Sequence, residues 1–257
     1  MANRRPLEGR AIVVTRPREQ ARGLAARIEA EGGAALVYPA MEIDDVSDPA
    51  AERAIEQLQA YDLAIFVSPT AVQKALPLVR SRREWPAGLR AAAVGAASRR
   101  ELERHGIKAV VSPEEGADSE ALLALPELGN VSGKRVIIFR GVGGRELLGD
   151  TLAKRGAKVD YAACYRRSPP RGDFRPLAKA WAQGGVDALT CSSSAGLENL
   201  LRALGEPAGT WLSATPVFVP HERIAQAARR LGAREIRVCG PGDEQTVREL
   251  VAYFQAP

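Results

Sequence analysis

Short β-branched and apolar runs alternate with helix-spaced segments along this chain, and that alternation admits few folds. The strand candidates are Ala11–Thr15, Ala35–Tyr38, Leu63–Val67, Ala91–Val94, Ala109–Val111, Arg135–Phe139, Val159–Tyr165, Ala188–Cys191, Pro216–Val219 and Glu235–Cys239. Between most of them apolar residues recur at helical spacing, as in Leu24 with Ile28 and in Leu147, Leu148 and Leu152. Asp48-Pro49 reads as an N-cap with proline at the first helical position; Gly32, Gly106, Gly156 and Gly232 stand where helices should end. Parallel strands need long crossovers and helices supply them, so the pattern predicts an α/β protein of parallel sheets flanked by helices.

The pattern also repeats. Gly9-Arg10 matches Gly133-Lys134, Arg16 matches Arg140, Leu24 matches Leu148, Gly32-Gly33 matches Gly156-Ala157, Asp62 matches Asp187, Ser68 matches Ser193 and Gly106 matches Gly232, always about 124–126 residues apart. An ordered series in one register predicts two similar lobes. A cut near Gly129–Gly133 gives contiguous halves. The alternative is one lobe inserted into the other: Tyr38–Ile43, which runs into the acidic linker Asp44–Pro49, and Tyr161–Arg167, which ends in Ser168-Pro169-Pro170-Arg171-Gly172, both look like crossings. Insertion predicts residues 1–40 with 168–257 in one lobe and 45–165 in the other.

Composition excludes several classes. At 257 residues, 46% hydrophobic and 26% charged, the chain suits a globular core. No apolar run reaches membrane-spanning length, and no apolar stretch of signal-peptide type follows the basic start, so a cytoplasmic protein is expected. Cys164, Cys191 and Cys239 sit in apolar runs without C-x-x-C spacing, and the two histidines are far apart, so no disulfide framework and no metal site are expected. The net charge of +5 is scattered, with no basic arm for nucleic acid, and suits an anionic small ligand.

Open parallel sheets bind ligands beyond the carboxyl ends of their strands. Those positions hold Thr15-Arg16, Ser68-Pro69-Thr70, Gly95 to Ser98, Arg140-Gly141 with Gly144-Arg145, Ser192-Ser193-Ser194, and His221 with Arg223. Hydroxyls, glycines and arginines dominate. Backbone N–H groups at helix starts add to them, and several such sites converging would hold a polyanion. Sharper motifs fail. The Gly141-x-Gly143-Gly144 run has Glu146 where a dinucleotide fingerprint needs its last glycine, and Ser193 lacks the glycines of a nucleophile elbow. Tyr165 differs from the rest: it ends the long strand beside the expected crossing, and a phenol there is a hydrogen-bond donor at neutral pH.

Taken in order, the residues resemble a family. Val13-Val14-Thr15-Arg16-Pro17 with Tyr38-Pro39, Asp62 to Val72, Ala93-Val94-Gly95, Arg140-Gly141 with Gly144-Arg145, Arg155-Gly156-Ala157-Lys158-Val159 to Tyr165-Arg166-Arg167, Ser192-Ser193, and His221 to Ala225 with Gly232 resemble uroporphyrinogen-III synthases over nearly the whole chain.

The resemblance implies two discontinuous lobes joined by a two-stranded connection. It implies an enzyme of tetrapyrrole and heme biosynthesis that needs no cofactor and no metal. The substrate would be hydroxymethylbilane, a linear tetrapyrrole with eight carboxylates. It would be closed to uroporphyrinogen III with loss of water and inversion of ring D, through a spiro-pyrrolenine. It implies Tyr165 as the catalytic residue assisting departure of the hydroxyl, and Ser68, Ser98, Ser193 and Arg223 facing the ligand, although some members carry threonine at the last. A monomer is expected, with no nucleic-acid or membrane partner and at most transient contact with hydroxymethylbilane synthase. From another class, a non-catalytic two-lobed binding protein for an anionic metabolite would share the same strand-end sites.

Overall fold

The computed structural model describes residues 5–116 and 118–256. Among them the alternation resolves into β1 (Ala11–Val14), β2 (Ala34–Val37), β3 (Glu42–Asp45), β4 (Leu63–Phe66), β5 (Arg90–Ala93), β6 (Arg135–Gly141), β7 (Lys158–Ser168), β8 (Ala188–Thr190), β9 (Val217–Val219) and β10 (Ile236–Val238). The chain divides into two compact units. One takes it as far as Glu42 and again from Ser168; the other is Ile43–Arg167. The division points fall at the start of β3 and the end of β7, which are neighbours in one sheet, so a two-stranded connection joins the units.

Each unit holds one five-stranded sheet. The first has the order β10-β9-β8-β1-β2, with every neighbouring pair parallel. Numbered along its own chain this is 2-1-3-4-5, a doubly wound order whose switch point lies between β1 and β8. The second is β3-β7-β6-β4-β5, with β5, β4, β6 and β7 mutually parallel. Begun at β4, with β3 counted last, it has the same order, and its switch point lies between β4 and β6.

The strand interiors explain the sheets. Val13 packs on one face of the first sheet while Ile12 and Val14 pack on the other. In the second, Ile137 and Phe139 of β6 face one core and Val136 and Ile138 face its opposite. Period-two alternation thus fills both faces, and helices must cover both. Each fully buried side chain of this size contributes about 1.5–3 kcal/mol. Phe66 and Phe139 stack across β4 and β6 with ring centroids 4.8 Å apart.

The repeat has a physical basis. Gly9 and Gly133 both take positive φ, 78° and 74°, in a tight turn that delivers the chain into β1 or β6. Arg10 N–H donates to the Leu7 carbonyl and Lys134 N–H to the Val131 carbonyl, both at 3.0 Å. The Asp187 carboxylate accepts from Ala11 N–H, and the Asp62 carboxylate accepts from Arg135 N–H, each at 2.8 Å. Each aspartate thereby ties the first residue of a central strand to the strand across the switch point. Ser68 and Ser193 both cap the helices that follow, accepting from Ala71 and Gly196 N–H at 3.0 Å. The matched strands are β1 with β6, β2 with β7, β4 with β8 and β5 with β9, so each half of the repeat supplies strands to both sheets.

Two expectations need correction. Ala109–Val111 is no strand. Ala109 lies at φ 54°, where an extended run breaks, and only Val111 bridges to Ala92. That bridge stands where β10 stands in the first unit. Conversely, Glu42–Asp45, which straddles the end of the expected crossing Tyr38–Ile43 and the start of the expected linker Asp44–Pro49, forms β3 at a sheet edge. Its acidic residues suit an edge strand, and Ile43 packs against the core.

Asp187→Ala removes the bond to Ala11 N–H together with the 2.8 Å ion pair to Arg10. A loss of about 1–3 kcal/mol is expected, read as a lowered urea midpoint for the first unit.

Candidate active site

At the switch point of the second unit the chain leaves β4 through Val67 to Ser68, whose backbone is extended (φ −164°) and whose hydroxyl caps the helix Pro69–Arg80, with proline at its first position. On β7 the pairing with β6 shifts between Arg140 and Gly141. Arg140 pairs with Ala163 but Gly141 pairs with Tyr165. Such a bulge re-aims side chains. Here it brings the adjacent residues Cys164 and Tyr165 into the same core, where strict alternation would part them. Tyr165 is buried, 2% exposed, and its hydroxyl lies 3.1 Å from Ser68 Oγ. A Cβ at Gly141 would meet the Tyr165 ring at 2.8 Å, so the ring takes this position because residue 141 is glycine.

The loop after β6 folds around Arg140, a buried arginine. Its Nε donates to the carbonyls of Gly143 (3.1 Å) and Gly141 (3.3 Å), and its Nη1 to the Glu146 carboxylate (3.1 Å). Its guanidinium lies 4.7 Å from the centroid of the Tyr161 ring. Gly144, at φ 106°, turns the loop where a Cβ would press on Arg140 Nη2 at 3.1 Å. The hydrogen bond from Tyr161, and then Arg140, hold the Glu146 carboxyl below the usual carboxylate range. Burial, and then Glu146, push the Tyr161 phenol up to about 12. Arg145 grips Glu120 with two bonds of 2.6 and 3.2 Å, which lowers the Glu120 carboxyl as well.

These elements enclose a cavity of about 360 Å³. Arg140, Gly141, Gly144, Arg145, Tyr161 and Tyr165 line it, with apolar walls from Val67, Val94, Ile138 and Leu148. A larger cavity of about 560 Å³ lies at the opposite edge of the same sheet, around Asp62, Leu63, Arg90 and Lys134, away from the strand carboxyl ends. Ser98 and Gly95 are buried at the start of the helix Ala96–Arg104, and Thr70 is buried in the turn after Ser68.

The remaining expected residues belong to the first unit. Its switch point is sealed: Thr15 Oγ1 donates to the Thr190 carbonyl at 2.9 Å, and Thr190 Oγ1 donates to the Val13 carbonyl at 3.0 Å. Arg16 forms an ion pair with Asp243. Ser193 caps the helix Ser194–Leu204, with Ser192 and Ser194 half-buried around it, while His221 and Arg223 stand exposed at the start of the helix Glu222–Arg230. Glu120, Glu146, Tyr161, Arg167 and Asp243 were not expected from the sequence. No spacing marks them: Glu120 and Asp243 sit in first turns of helices, Glu146 just before one, and Tyr161 and Arg167 on β7. Among the described residues no group of three or more His, Cys, Asp or Glu is arranged to hold a metal ion, and no helix is long and apolar enough to cross a membrane.

Doubly wound parallel sheets with hydroxyls, helix-start amides and arginines at their carboxyl edges define a class: open α/β proteins, whose ligands bind beyond the carboxyl ends of the strands. The comparisons narrow the class. The uroporphyrinogen-III synthase HemD family model matches residues 22–252. Uroporphyrinogen-III synthase of Salmonella typhimurium is 35% identical over 92% of this chain and 98% of its own. That of Escherichia coli K12 is 32% identical with the same coverage. Among solved structures, a mutant uroporphyrinogen III synthase of Thermus thermophilus shares the fold at TM-score 0.63, with 20% identity over 96% of this chain and 98% of that one. The Helicobacter pylori 26695 uroporphyrinogen-III synthetase does so at TM-score 0.60, with 13% identity over 95% and 99%. The chain belongs to the uroporphyrinogen-III synthase family, enzymes of porphyrin and heme biosynthesis.

Gly141→Ala is expected to overpack the site and drive the Tyr165 ring off Ser68, at about 1–3 kcal/mol in urea unfolding. Gly129→Ala, where a Cβ meets open space, serves as the near-neutral control.

Proposed function

We propose that the chain acts as a cyclising hydro-lyase on hydroxymethylbilane, with Tyr165 as the group that assists departure of the hydroxyl. The ring A pyrrole nitrogen pushes the hydroxyl out and leaves an azafulvenium cation. Ring D then attacks through its substituted α-carbon to give a spiro-pyrrolenine, which fragments and recloses with ring D inverted. The bilane closes unaided to the uninverted isomer, so the protein's contribution is conformation and exclusion of water.

The observation that carries this reading is the Tyr165–Ser68 pair beside the cavity. Hydroxide leaves poorly, and a donor fixed at the departing oxygen stabilises the transition state more than the ground state. When Ser68 donates to the phenol oxygen, the phenol proton is free to point at the leaving group. Burial of the ring fixes its direction in advance. In the second unit the substrate's peripheral carboxylates would meet Arg140, Arg145 and the glycine-rich turn Gly141–Gly144; in the first unit Arg16, Arg223, His221 and the serines after β8 offer the same chemistry. The cavity of about 360 Å³ lies at the small end of ligand sites, so it suits a part of the bilane. The three cysteines are free and buried, which accords with work in the cytoplasm, as a monomer that receives its unstable substrate directly or by transient contact with hydroxymethylbilane synthase.

The test is a coupled assay on freshly generated hydroxymethylbilane that separates type I from type III product. Type I alone, at the uncatalysed rate, overturns the reading. Activity is expected to survive exhaustive chelation and dialysis; restoration by an added metal or nucleotide would count against it. In the same assay Tyr165→Phe is expected to lower the type III rate roughly 10-fold or somewhat more. That is below the roughly 10²–10³ of a full oxyanion donor, because the pyrrole supplies most of the push and water substitutes in part. Unchanged turnover and isomer ratio would make the hydroxyl structural.

A further inference from the structure

Two of the three arginines that line the second unit's cavity, Arg140 and Arg145, are held by carboxylates. Arg140 holds Glu146 and Arg145 holds Glu120. The same arrangement recurs in the first unit, where Arg16, the repeat partner of Arg140, holds Asp243. An arginine meant for a substrate carboxylate is here neutralised by a carboxylate of the chain itself.

The pairs differ in commitment. Arg140 is also fixed by two carbonyls and by the face of Tyr161, and Glu146 has Tyr161 as a second partner. That pair shapes the loop. Arg145 and Glu120 are both well exposed, with side-chain exposures of 61% and 54%, and among the described residues Glu120 is the side-chain acceptor that Arg145 holds. Their two bonds have the fork geometry with which a guanidinium takes any carboxylate. The pair spans the cavity rim: Arg145 lines it from the loop after β6, and Glu120 stands beside Asp118 and Ser119, which line it from the opposite segment.

We infer that Glu120 is a place-holder carboxylate: it occupies Arg145 in the ligand-free enzyme and is displaced by a peripheral carboxylate of the substrate. This rests on the anionic substrate proposed above. The exchange swaps one carboxylate for another on the same guanidinium, so Arg145 is never left unpaired, and the rim strap opens only as ligand enters. Exposed ion pairs are weak, so the competition lowers affinity only modestly. It sets specificity as well, since a neutral ligand cannot repay the lost pair.

The test measures the dissociation constant of uroporphyrin III, a stable porphyrin with eight carboxylates, for the intact protein, Glu120→Gln, Arg145→Gln and the double variant. Glu120→Gln is expected to bind about two- to fivefold more tightly. Arg145→Gln should bind more weakly, and the double variant should match Arg145→Gln alone. Unchanged or weaker binding by Glu120→Gln overturns the inference, as does a gain that persists without Arg145. KM for hydroxymethylbilane should fall in parallel at unchanged kcat. Failure of the functional reading is separately visible, as a parent enzyme that yields only type I product whatever the porphyrin titrations show.

Discussion

Ile12, Val13 and Val14 are all fully buried although they point to opposite faces of β1, and so are Val136, Ile137 and Phe139 of β6. A central strand covered on both faces has no side chain to spare for chemistry. Every polar function must then appear where the strand stops. The carboxyl ends are favoured over the amino ends because the next helix begins there, with unpaired N–H groups and its positive dipole end. Ser68 and Ser193, Arg16 and Arg140 stand at those ends for that reason. The same constraint makes the turns before β1 and β6 as fixed as the strands, with Asp187 and Asp62 holding the first amide of each.

How much of this was legible depended on the range of the signal. Strands filled on both faces read clearly as short apolar runs, and helix ends read clearly from glycines such as Gly32 and Gly156, which take φ of 88° and 86°. β3 did not read, because an edge strand needs one apolar contact and tolerates three acids. Ala109–Val111 read as a strand on composition, and a backbone turn at Ala109 defeated it. The repeat was visible as matched residues. Which strands then share a sheet was not, because the matched halves do not coincide with the compact units. β1 corresponds to β6 across units while pairing with β8 within its own, and only the pairing partners reveal that exchange.

The site shows the same division. Capping serines announce themselves by their place between a strand and a Pro- or Gly-containing helix start. Tyr165 read as the end of a strand beside a crossing, whereas β7 runs on past it to Ser168, because the edge strand β3 prolongs the pairing on that side. What re-aims the ring is a register shift of one residue, and the room for it is the missing Cβ of Gly141. Neither leaves a local mark, since a bulge is decided by the neighbouring strand and not by the residues that form it. The acidic partners Glu120, Glu146 and Asp243 were equally silent. Each belongs to a helix start or its approach, where acids are common for reasons of dipole alone.

Burial then separates the groups by what each can do. Tyr165 and Arg140 are held by rings, carbonyls and a backbone bulge, so their directions are set before any ligand arrives. A donor in that state needs no reorganisation at the moment a bond breaks, which is the condition for acting on a transition state. Arg145 and Glu120 stand in water, on flexible stems, at the rim. A charge there interacts with a carboxylate about equally before and during reaction, so on the proposed function it would act in capture and selection and not in the chemical step. On the function proposed above, the fixed interior would serve the chemical step and the exposed rim the capture of substrate. The glycine-rich turn from Gly141 to Gly144 separates the two, with the buried Arg140 before it and the exposed Arg145 after it.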